Sequence, residues 1–270
     1  MAEIKDGVVE CTSDEYHADR KYKSSSVLKV ILKSLADYKA QYIDGNPKEF
    51  SNRTALDEGS LAHSYILEPH LTNSEFNFFN GFRKVGPEFD AFMAGLTPEE
   101  AKRPVISMPQ KVRTLNLVAA YKTNAVAVEL LSGGEAEQSI FGTLLDMPIK
   151  VRFDYINVDK GYIADVKTTG YGGDIDSFKQ TIEGFSYQLS AALYCMMAEQ
   201  YYGKPFEFYF VVLSKKDLSA NVYITSEATM ETGKRMVKEA CTKYKNALKS
   251  GIWEDAAPVK VQLSDEVLEV

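Results

Sequence analysis

The sequence predicts an α/β fold in which one mixed β-sheet is flanked by helices. Hydrophobic residues recur with helical and then with strand spacing, in the order helices, three strands, helix, two strands and helix. The composition, 45% hydrophobic and 26% charged over 270 residues, allows a sizeable buried core. There is no internal repeat and no low-complexity linker, so we expect a single domain over residues 1–270.

Two amphipathic helices are expected to form a helical layer near the N-terminus. The stretch KSSSVLKVILKSLADYKAQY, residues 23–42, places apolar residues on one face, and one of its serines can cap the first turn. In TALDEGSLAHSYILEP, Thr54 is the expected N-cap and Asp57 takes the capping-box position. Pro69 marks the end of this second helix.

The next part of the chain has a weaker pattern. Residues from about 70 to 109 include FNGFRKVGPEF and show no sustained periodicity, so we predict an irregular insertion or flap there. A long helix is expected over residues 109–132, because the glycine pair Gly133-Gly134 then ends it.

Alternating apolar residues then predict the sheet. Three strand-like runs cover residues 136–143, 147–158 and 161–169, and Asp159-Lys160-Gly161 supplies the turn between the last two. A helix over about 177–202, two strands within 206–214 and 220–226, and a final helix over about 226–250 complete the order. Gly251 is the expected stop of the final helix.

Composition also limits the functional classes. No apolar run approaches the roughly 18 residues of a membrane span, and the N-terminus lacks the pattern of a signal peptide. Three widely spaced cysteines without CxxC pairs disfavour a zinc site or a disulfide framework, so we expect a cytoplasmic protein. The net charge of −7 argues weakly against nucleic acid, although residues 16–42 and 232–250 are locally basic.

The predicted hairpin RFDYINVDKGYIADVKTT carries the residues with the clearest chemical meaning. Asp165 and Lys167 share one face of a strand, and Asp154 lies on the preceding strand. Two carboxylates and a lysine suit phosphodiester hydrolysis, which needs a divalent cation and charge neutralisation at phosphorus. An exposed hairpin with scattered charges is the alternative, but the apolar residues on both sides of Asp165 indicate a buried strand, where an acid requires a partner.

Two further groups are candidates on their residues alone. His63 lies on the small-residue face of its helix, EGSLAH, and can be either a ligand or a packed core histidine. Free N–H groups at the start of KSSSVLK form an anion site together with the serine hydroxyls and Lys29. Plain N-capping by serine is the alternative there. The candidate phosphate-binding residues are Ser24, Ser25, Ser26 and Lys29.

Several segments together resemble a known family. EYHADRKYKSSSVLKVILKSLADYKAQY, ALDEGSLAHSYILEP, AEQSIFGTLLDMPIKVRFDYI, YIADVKTT and YQLSAALY are similar, in this order, to the nuclease domain of RecE (exonuclease VIII) and its phage and prophage relatives. The resemblance runs from about Tyr16 to Tyr194. It implies the restriction-endonuclease-like (PDDEXK) fold, with its central mixed sheet, and a metal-dependent nuclease.

The resemblance also implies roles for individual residues. The implied metal ligands are His63, Asp154, Asp165 and the main-chain carbonyl of Val166. Lys167 matches the catalytic lysine, which acts together with Asp154 and Asp165. Glu137 stands at a position that is usually acidic in these proteins. The cofactor would be Mg²⁺ or Mn²⁺, and the serines with Lys29 would receive a 5′-terminal phosphate.

At the level of function, the resemblance implies a 5′-to-3′ exonuclease that acts on double-stranded DNA ends in recombination. Its partner would be a RecT-like single-strand annealing protein, and by analogy the protein would form homo-oligomers around DNA. The sequence itself fixes neither the cleavage polarity nor the choice between exonuclease and endonuclease.

One motif departs from the family pattern. The helix motif Gln-x-x-x-Tyr keeps Tyr194, but Ser190 replaces the glutamine, and the nearest glutamine is Gln188, about 200° away around a helix. A nuclease-fold DNA-binding protein with weak catalysis is therefore an alternative function. A structure-specific nuclease, or a nuclease of CRISPR adaptation, is the other alternative, although three cysteines cannot supply the usual quartet for an iron–sulfur cluster.

Overall fold

A computed structural model describes residues 6–46 and 53–254 of the chain. The helices are α1 (Ser13–Ala18), α2 (Ser25–Lys33), α3 (Leu35–Tyr38), α4 (Arg53–Leu67), α5 (Thr72–Glu75), α6 (Pro87–Ala94), α7 (Met108–Thr123), α8 (Ala125–Leu130), α9 (Ile175–Gly184), α10 (Tyr187–Tyr202) and α11 (Glu227–Ser250). The strands are β1 (Gly7–Val9), β2 (Asn77–Phe79), β3 (Val105–Ser107), β4 (Glu135–Leu144), β5 (Met147–Asn157), β6 (Tyr162–Thr169), β7 (Glu207–Ser214) and β8 (Ser219–Ile224). A π-helical turn (Lys39–Ile43) follows α3, and a short 3₁₀ helix (Glu100–Lys102) follows α6.

A six-stranded sheet in the order β1-β4-β5-β6-β7-β8 forms the centre of the fold. Strands β6 and β7 are parallel and the other neighbouring pairs are antiparallel. A parallel pair needs a crossover connection, and α9 and α10 supply it between β6 and β7. The predicted mixed sheet flanked by helices is confirmed.

Helices cover both faces of this sheet. On one face α2 and α11 bury Leu28 and Val237 in the same core as Phe153 of β5. On the other face α4 packs Ala62 in a separate core with Val166 of β6. The two N-terminal helices α2 and α4 therefore lie on opposite faces of the sheet, and the space between the two helical layers is available for a site.

Two of the predicted long helices are interrupted where a side chain caps a new helix. The helix predicted over residues 23–42 breaks at Ser34, whose Oγ accepts the backbone N–H of Asp37 at 3.0 Å and starts α3. The helix predicted over residues 109–132 breaks at Asn124, whose Oδ1 caps α8 in the same way. At both positions, capping by a nearby side chain competes with continuation of the helix. The spacing of apolar residues contains no information about such capping, so it does not predict these breaks.

Of four further helix boundaries, two differ from the sequence pattern and two agree with it. The helix predicted over about 177–202 is two helices, because Ser186 adopts a left-handed φ of 51° between α9 and α10. Thr54 is wrong as an N-cap, since α4 already includes Arg53. The ends before Pro69 and at Gly251, which has a φ of 74°, are as predicted.

The segment predicted to be irregular contains short ordered elements. Strands β2 and β3 pair in parallel, and α6 lies between them in the chain. Strand β1, which pairs with β4, and helix α1 lie in the N-terminal stretch that carried no sequence signal. That this segment is an insertion in a single domain stays a prediction. No helix among the described residues is both long and apolar enough to cross a membrane.

We expect Gly233→Ala to destabilise the fold, because α11 packs closely on α10 at this residue. A Cβ there would overlap the carbonyl oxygen of Gln188 and lie 2.7 Å from the Cβ of Ala192. Overpacking of this kind costs about 1–3 kcal/mol, which outweighs the roughly 0.5–1 kcal/mol that alanine contributes over glycine in a helix. The free energy of unfolding in urea measures the effect.

Gly184→Ala is the matched control for this substitution. Gly184 ends α9 and has no atom near the position of an added Cβ. The control should be neutral or slightly stabilising. Equal unfolding free energies for the two variants would contradict close packing of α10 on α11.

Candidate active site

The candidate site forms where strands β5 and β6 separate. Their ladder pairs Asn157 with Tyr162 and continues to Tyr155 and Ala164, where it stops. The next position in this register would place Asp154 opposite Asp165. Instead, Oδ2 of Asp154 accepts the backbone N–H of Val166 at 2.8 Å. A side-chain carboxylate therefore replaces a ladder hydrogen bond and opens space between the two strands.

Three ligand-type side chains converge on this opening. His63 of α4, Glu137 of β4 and Asp154 of β5 each offer one ligand atom, and these atoms lie within 4.8 Å of one another. The Nδ1 atom of His63 is 3.5 Å from Oδ2 of Asp154. One imidazole and two carboxylates form a donor set that suits a divalent cation. We call these residues the metal-ligand cluster.

Glu137 enters this cluster through an unusual backbone conformation. Its φ of 52° is left-handed, which costs a non-glycine residue on the order of 1 kcal/mol. The Nε atom of Arg152 donates to Oε2 of Glu137 at 2.6 Å and holds the carboxylate in place. Burial raises the pKa of Glu137, Asp154 raises it further, and Arg152 and His63 only partly oppose the rise.

Asp165 and Lys167 meet beside the metal-ligand cluster. Asp165 is only 3% exposed, and its carboxylate forms an ion pair with the ammonium group of Lys167. Burial raises the pKa of Asp165 to about 6; Lys167 lowers it and Asp154 raises it further. Burial lowers the pKa of Lys167, but Asp165, Asp154 and Tyr187 outweigh burial and hold that pKa above its usual value. Lys167 is therefore an ammonium ion at neutral pH.

The side chains of the predicted ligand set and those of the observed cluster differ in one member. His63 and Asp154 lie together, whereas Asp165 is engaged with Lys167 and does not belong to the cluster. Glu137, which the resemblance places at a usually acidic position, takes its place. Val166 itself lines the cleft that leads to this cluster. Metal binding by Asp165 and Val166 stays a prediction.

A cleft of about 1850 Å³ gives access to the cluster, and residues of both helical layers line it. On the α2 side of the sheet, the cleft is lined by the start of α2, by Tyr187 and by Tyr194. On the α4 side, it is lined by α4 and by Arg113 of α7. We call this the active-site cleft. It contains a metal-type donor set, an ammonium group and two helical walls, which together can hold an anionic polymer.

Three of the four predicted phosphate-binding residues, Ser24, Ser25 and Ser26, line the cleft on the side formed by α2. Ser24 is the N-cap of α2, but its side chain makes no capping hydrogen bond, so plain capping does not explain it. Ser25 is buried and lines the same cleft as Tyr194. The ammonium group of Lys29 lies 5.1 Å from the ring centre of Tyr187. Burial and, to a smaller extent, Lys167 lower the pKa of Lys29 to about 8, and Asp165 partly opposes them.

The altered helix motif is only partly in the cleft. Tyr194 lines the cleft, and its ring meets that of Phe153 edge-on at 5.7 Å. Burial raises the pKa of Tyr194 well above its usual value. Gln188 and Ser190 are not among the lining residues of the described chain, and Gln188 packs against Gly233 of α11. The late start of α10 at Tyr187 thus does not bring Gln188 to the site.

Several residues of the cleft were missed from the sequence. Arg152 stands two positions before Asp154 on β5, so strand alternation could have placed it on the same face. Tyr187 gave no signal, because aromatic residues are common in this chain. Glu58 gave no signal as a site residue, but it is buried, and it binds Arg113 and Lys215 from distant parts of the sequence.

Comparison with protein families identifies the fold. A family model described as a PDDEXK-like domain of unknown function (DUF3799) matches residues 24–258. The chain belongs to this family. A search of curated proteins found no match.

Solved structures agree with the PDDEXK-like fold. A crystal structure of a candidate exonuclease from Eubacterium rectale aligns with a TM-score of 0.66 at 16% identity, covering 97% of this chain and 100% of that chain. A phage-related exonuclease from Haemophilus somnus 129PT aligns with a TM-score of 0.36 at 14% identity, covering 86% of this chain and 96% of that chain. The first alignment shows a shared fold, and the TM-score of the second is too low to support any conclusion.

As a PDDEXK-like protein, the chain has a nuclease fold, and proteins of this superfamily generally depend on divalent metal ions. The metal-ligand cluster is consistent with such a dependence. Membership of the narrower RecE-type group is not shown by the family match.

We expect Arg152→Met to destabilise the protein by about 2 kcal/mol at neutral pH, because it leaves the half-buried Glu137 carboxylate without its cation. The side chains of Arg152 and Glu137 are 15% and 21% exposed. Adding Glu137→Gln should recover part of the loss, since it removes the unpaired charge. Urea unfolding of the two single variants and the double variant measures the coupling energy. Additive losses would show that the pair does not interact.

Proposed function

We propose that the protein is a divalent-metal-dependent deoxyribonuclease, and more narrowly a 5′-to-3′ exonuclease acting on double-stranded DNA ends in recombination. The observation that carries the proposal is the convergence of His63, Glu137 and Asp154 beside the Asp165–Lys167 ion pair, at the opening between β5 and β6. The PDDEXK-like family supports hydrolysis of phosphodiester bonds, and the RecE resemblance of the sequence supports the narrower activity.

The residues at the site fit a divalent cation. His63, Glu137 and Asp154 would hold Mg²⁺ or Mn²⁺, with Asp165 and the Val166 carbonyl as further ligands. Carboxylate and carbonyl oxygens suit both ions, and an imidazole is the ligand that Mg²⁺ least prefers. A bound cation supplies charge neutralisation at the phosphate and lowers the pKa of a water molecule.

Lys167 has a defined protonation state for this reaction. Because its pKa is held above the usual value, the ammonium group donates hydrogen bonds and cannot accept a proton from water. In the proposed mechanism Lys167 orients the attacking water and stabilises the negative charge that develops on the phosphoryl oxygens. Its ammonium group lies 5.4 Å from the ring centre of Tyr187, which restricts its position. In-line attack would invert the configuration at phosphorus.

The side of the cleft formed by α2 supports the choice of DNA ends as substrate. Ser24, Ser25 and Ser26 stand at the start of α2, where free backbone N–H groups favour an anion, and Lys29 lies about one turn further along the helix. We propose that they receive a 5′-terminal phosphate. By analogy with RecE-type proteins, the 3′ overhangs left by digestion would pass to a RecT-like annealing protein, and the nuclease would form a homo-oligomer.

A DNA-binding protein with weak catalysis is the second candidate. The observation that favours it is the position of Gln188 and Ser190, neither of which lines the cleft, so the glutamine of the family motif has no counterpart there. Metal-ligand residues and Lys167 would then bind DNA without rapid turnover.

Digestion of a linear duplex with 5′-phosphates in Mg²⁺ or Mn²⁺ tests the proposal. Lys167→Ala and Asp165→Ala should each lower the rate at least about a hundredfold, because each removes a charged group that acts on the transition state. Asp159→Ala is the matched control, since Asp159 lies in the exposed hairpin turn, outside the residues that line the cleft. It should digest DNA as the wild type does.

The outcome separates the two candidates and the two polarities. Wild-type protein that binds the duplex but digests it no faster than Lys167→Ala is the weakly catalytic DNA-binding protein. Digestion of closed circular DNA at the rate of linear DNA would exclude an exonuclease. Release of label from the 5′ end before the 3′ end is the expected order.

A further inference from the structure

A charged triad outside the metal-ligand cluster lines the same cleft. Glu58, Arg113 and Lys215 come from α4, α7 and the residue after β7. Oε1 of Glu58 accepts Nε of Arg113 at 2.9 Å and Nη2 at 2.6 Å, and Oε2 accepts Nζ of Lys215 at 2.9 Å. We call these residues the Glu58 triad. Three elements that are distant in sequence thus place two cations around one buried carboxylate.

The two cations keep donors that Glu58 does not use. A guanidinium presents five N–H donors and an ammonium three, and Glu58 is the only side-chain acceptor of either group among the described residues. The side chain of Arg113 is 52% exposed, whereas that of Glu58 is 6% exposed. The triad therefore presents a surplus of positive charge and unused donors to the cleft.

The triad lies close to the proposed reaction centre. The backbone N–H of Lys215 donates to the carbonyl of Thr169 at 2.8 Å, so Lys215 stands beside the end of β6, just beyond Lys167. A Cβ on Gly59 would lie 3.3 Å from Oγ1 of Thr168, which shows how closely α4 passes β6. The triad belongs to the side of the cleft formed by α4 and α7, and Ser24, Ser25 and Ser26 belong to the side formed by α2. The metal-ligand cluster lies between them.

We infer that the Glu58 triad is a phosphate-binding site that holds an internal phosphodiester of the DNA strand, beside the phosphate being cut. This inference rests on the proposed nuclease function. A phosphodiester has two non-bridging oxygens and one negative charge, and it matches the remaining donors of a guanidinium and an ammonium group. Glu58 acts as the positioning residue, because it fixes Arg113 before DNA arrives and so reduces the entropy lost on binding.

Binding of a short linear duplex, labelled at a 3′ end and measured by fluorescence anisotropy in EDTA, tests the inference without cleavage. Arg113→Gln should raise Kd about tenfold and reduce the slope of log K against log salt by about 1, because one phosphate contact is lost. Lys122→Gln is the matched control: Lys122 is exposed on the same helix, outside the residues that line the cleft. Its Kd should stay within about twofold of the wild type.

A double variant keeps the test valid if Arg113→Gln unfolds. Glu58→Gln with Arg113→Gln removes the buried carboxylate together with its partner, and it leaves the net charge of the cleft unchanged. A loss of affinity in this variant cannot come from bulk electrostatics. Thermal unfolding followed by circular dichroism confirms that each variant is folded before its Kd is compared.

The two sources of phosphate are separated with 5′-phosphorylated and 5′-hydroxyl duplexes. An equal loss of affinity on both duplexes supports an internal phosphodiester, and a loss confined to the 5′-phosphorylated duplex overturns that assignment. Folded Arg113→Gln and double variants that bind DNA like Lys122→Gln overturn the inference and leave the nuclease proposal standing. Wild-type protein that neither binds nor digests the duplex overturns the proposed function itself.

Discussion

The hydrogen bond from the backbone N–H of Val166 to Oδ2 of Asp154 is the constraint on which the candidate site depends. It ends the ladder between β5 and β6 while β6 continues to pair with β7 along its whole length. The opening that results receives His63 from α4 and Glu137 from β4. Without the separation of the two strands, Asp154 and Asp165 would face each other across an ordinary ladder, and no other group could enter.

Charge compensation decides which groups at this opening are available for chemistry. Arg152 pairs with Glu137 and Lys167 pairs with Asp165, so these two carboxylates each have a cation before any ligand binds. The raised pKa values of both carboxylates show that this compensation is incomplete. An incompletely neutralised group of acids is the electrostatic condition that favours a divalent cation, and the same pairing fixes Lys167 as an ammonium ion.

The sequence predicts the fold because the type and order of its elements depend on local periodicity. Strand alternation places Asp165 with Lys167, and the order of the elements predicts the mixed sheet. What it misses depends on contacts and conformations of individual residues: Glu58 binds partners more than fifty residues away in the chain, and Ser186 adopts a left-handed φ that divides the helix predicted over about 177–202. No periodic pattern contains that information, because capping and ion pairing are specific to individual side chains.

The central claim is that the opening between β5 and β6 holds a divalent cation. Anomalous scattering from crystals soaked in Mn²⁺ tests it most directly, since the position of the ion is read without reference to activity. We predict an anomalous peak within bonding distance of Nδ1 of His63 and of carboxylate oxygens of Glu137 and Asp154, and loss of this peak in Asp154→Asn. A fully soaked crystal with no peak at these three residues, or with its peak elsewhere in the cleft, would contradict the account.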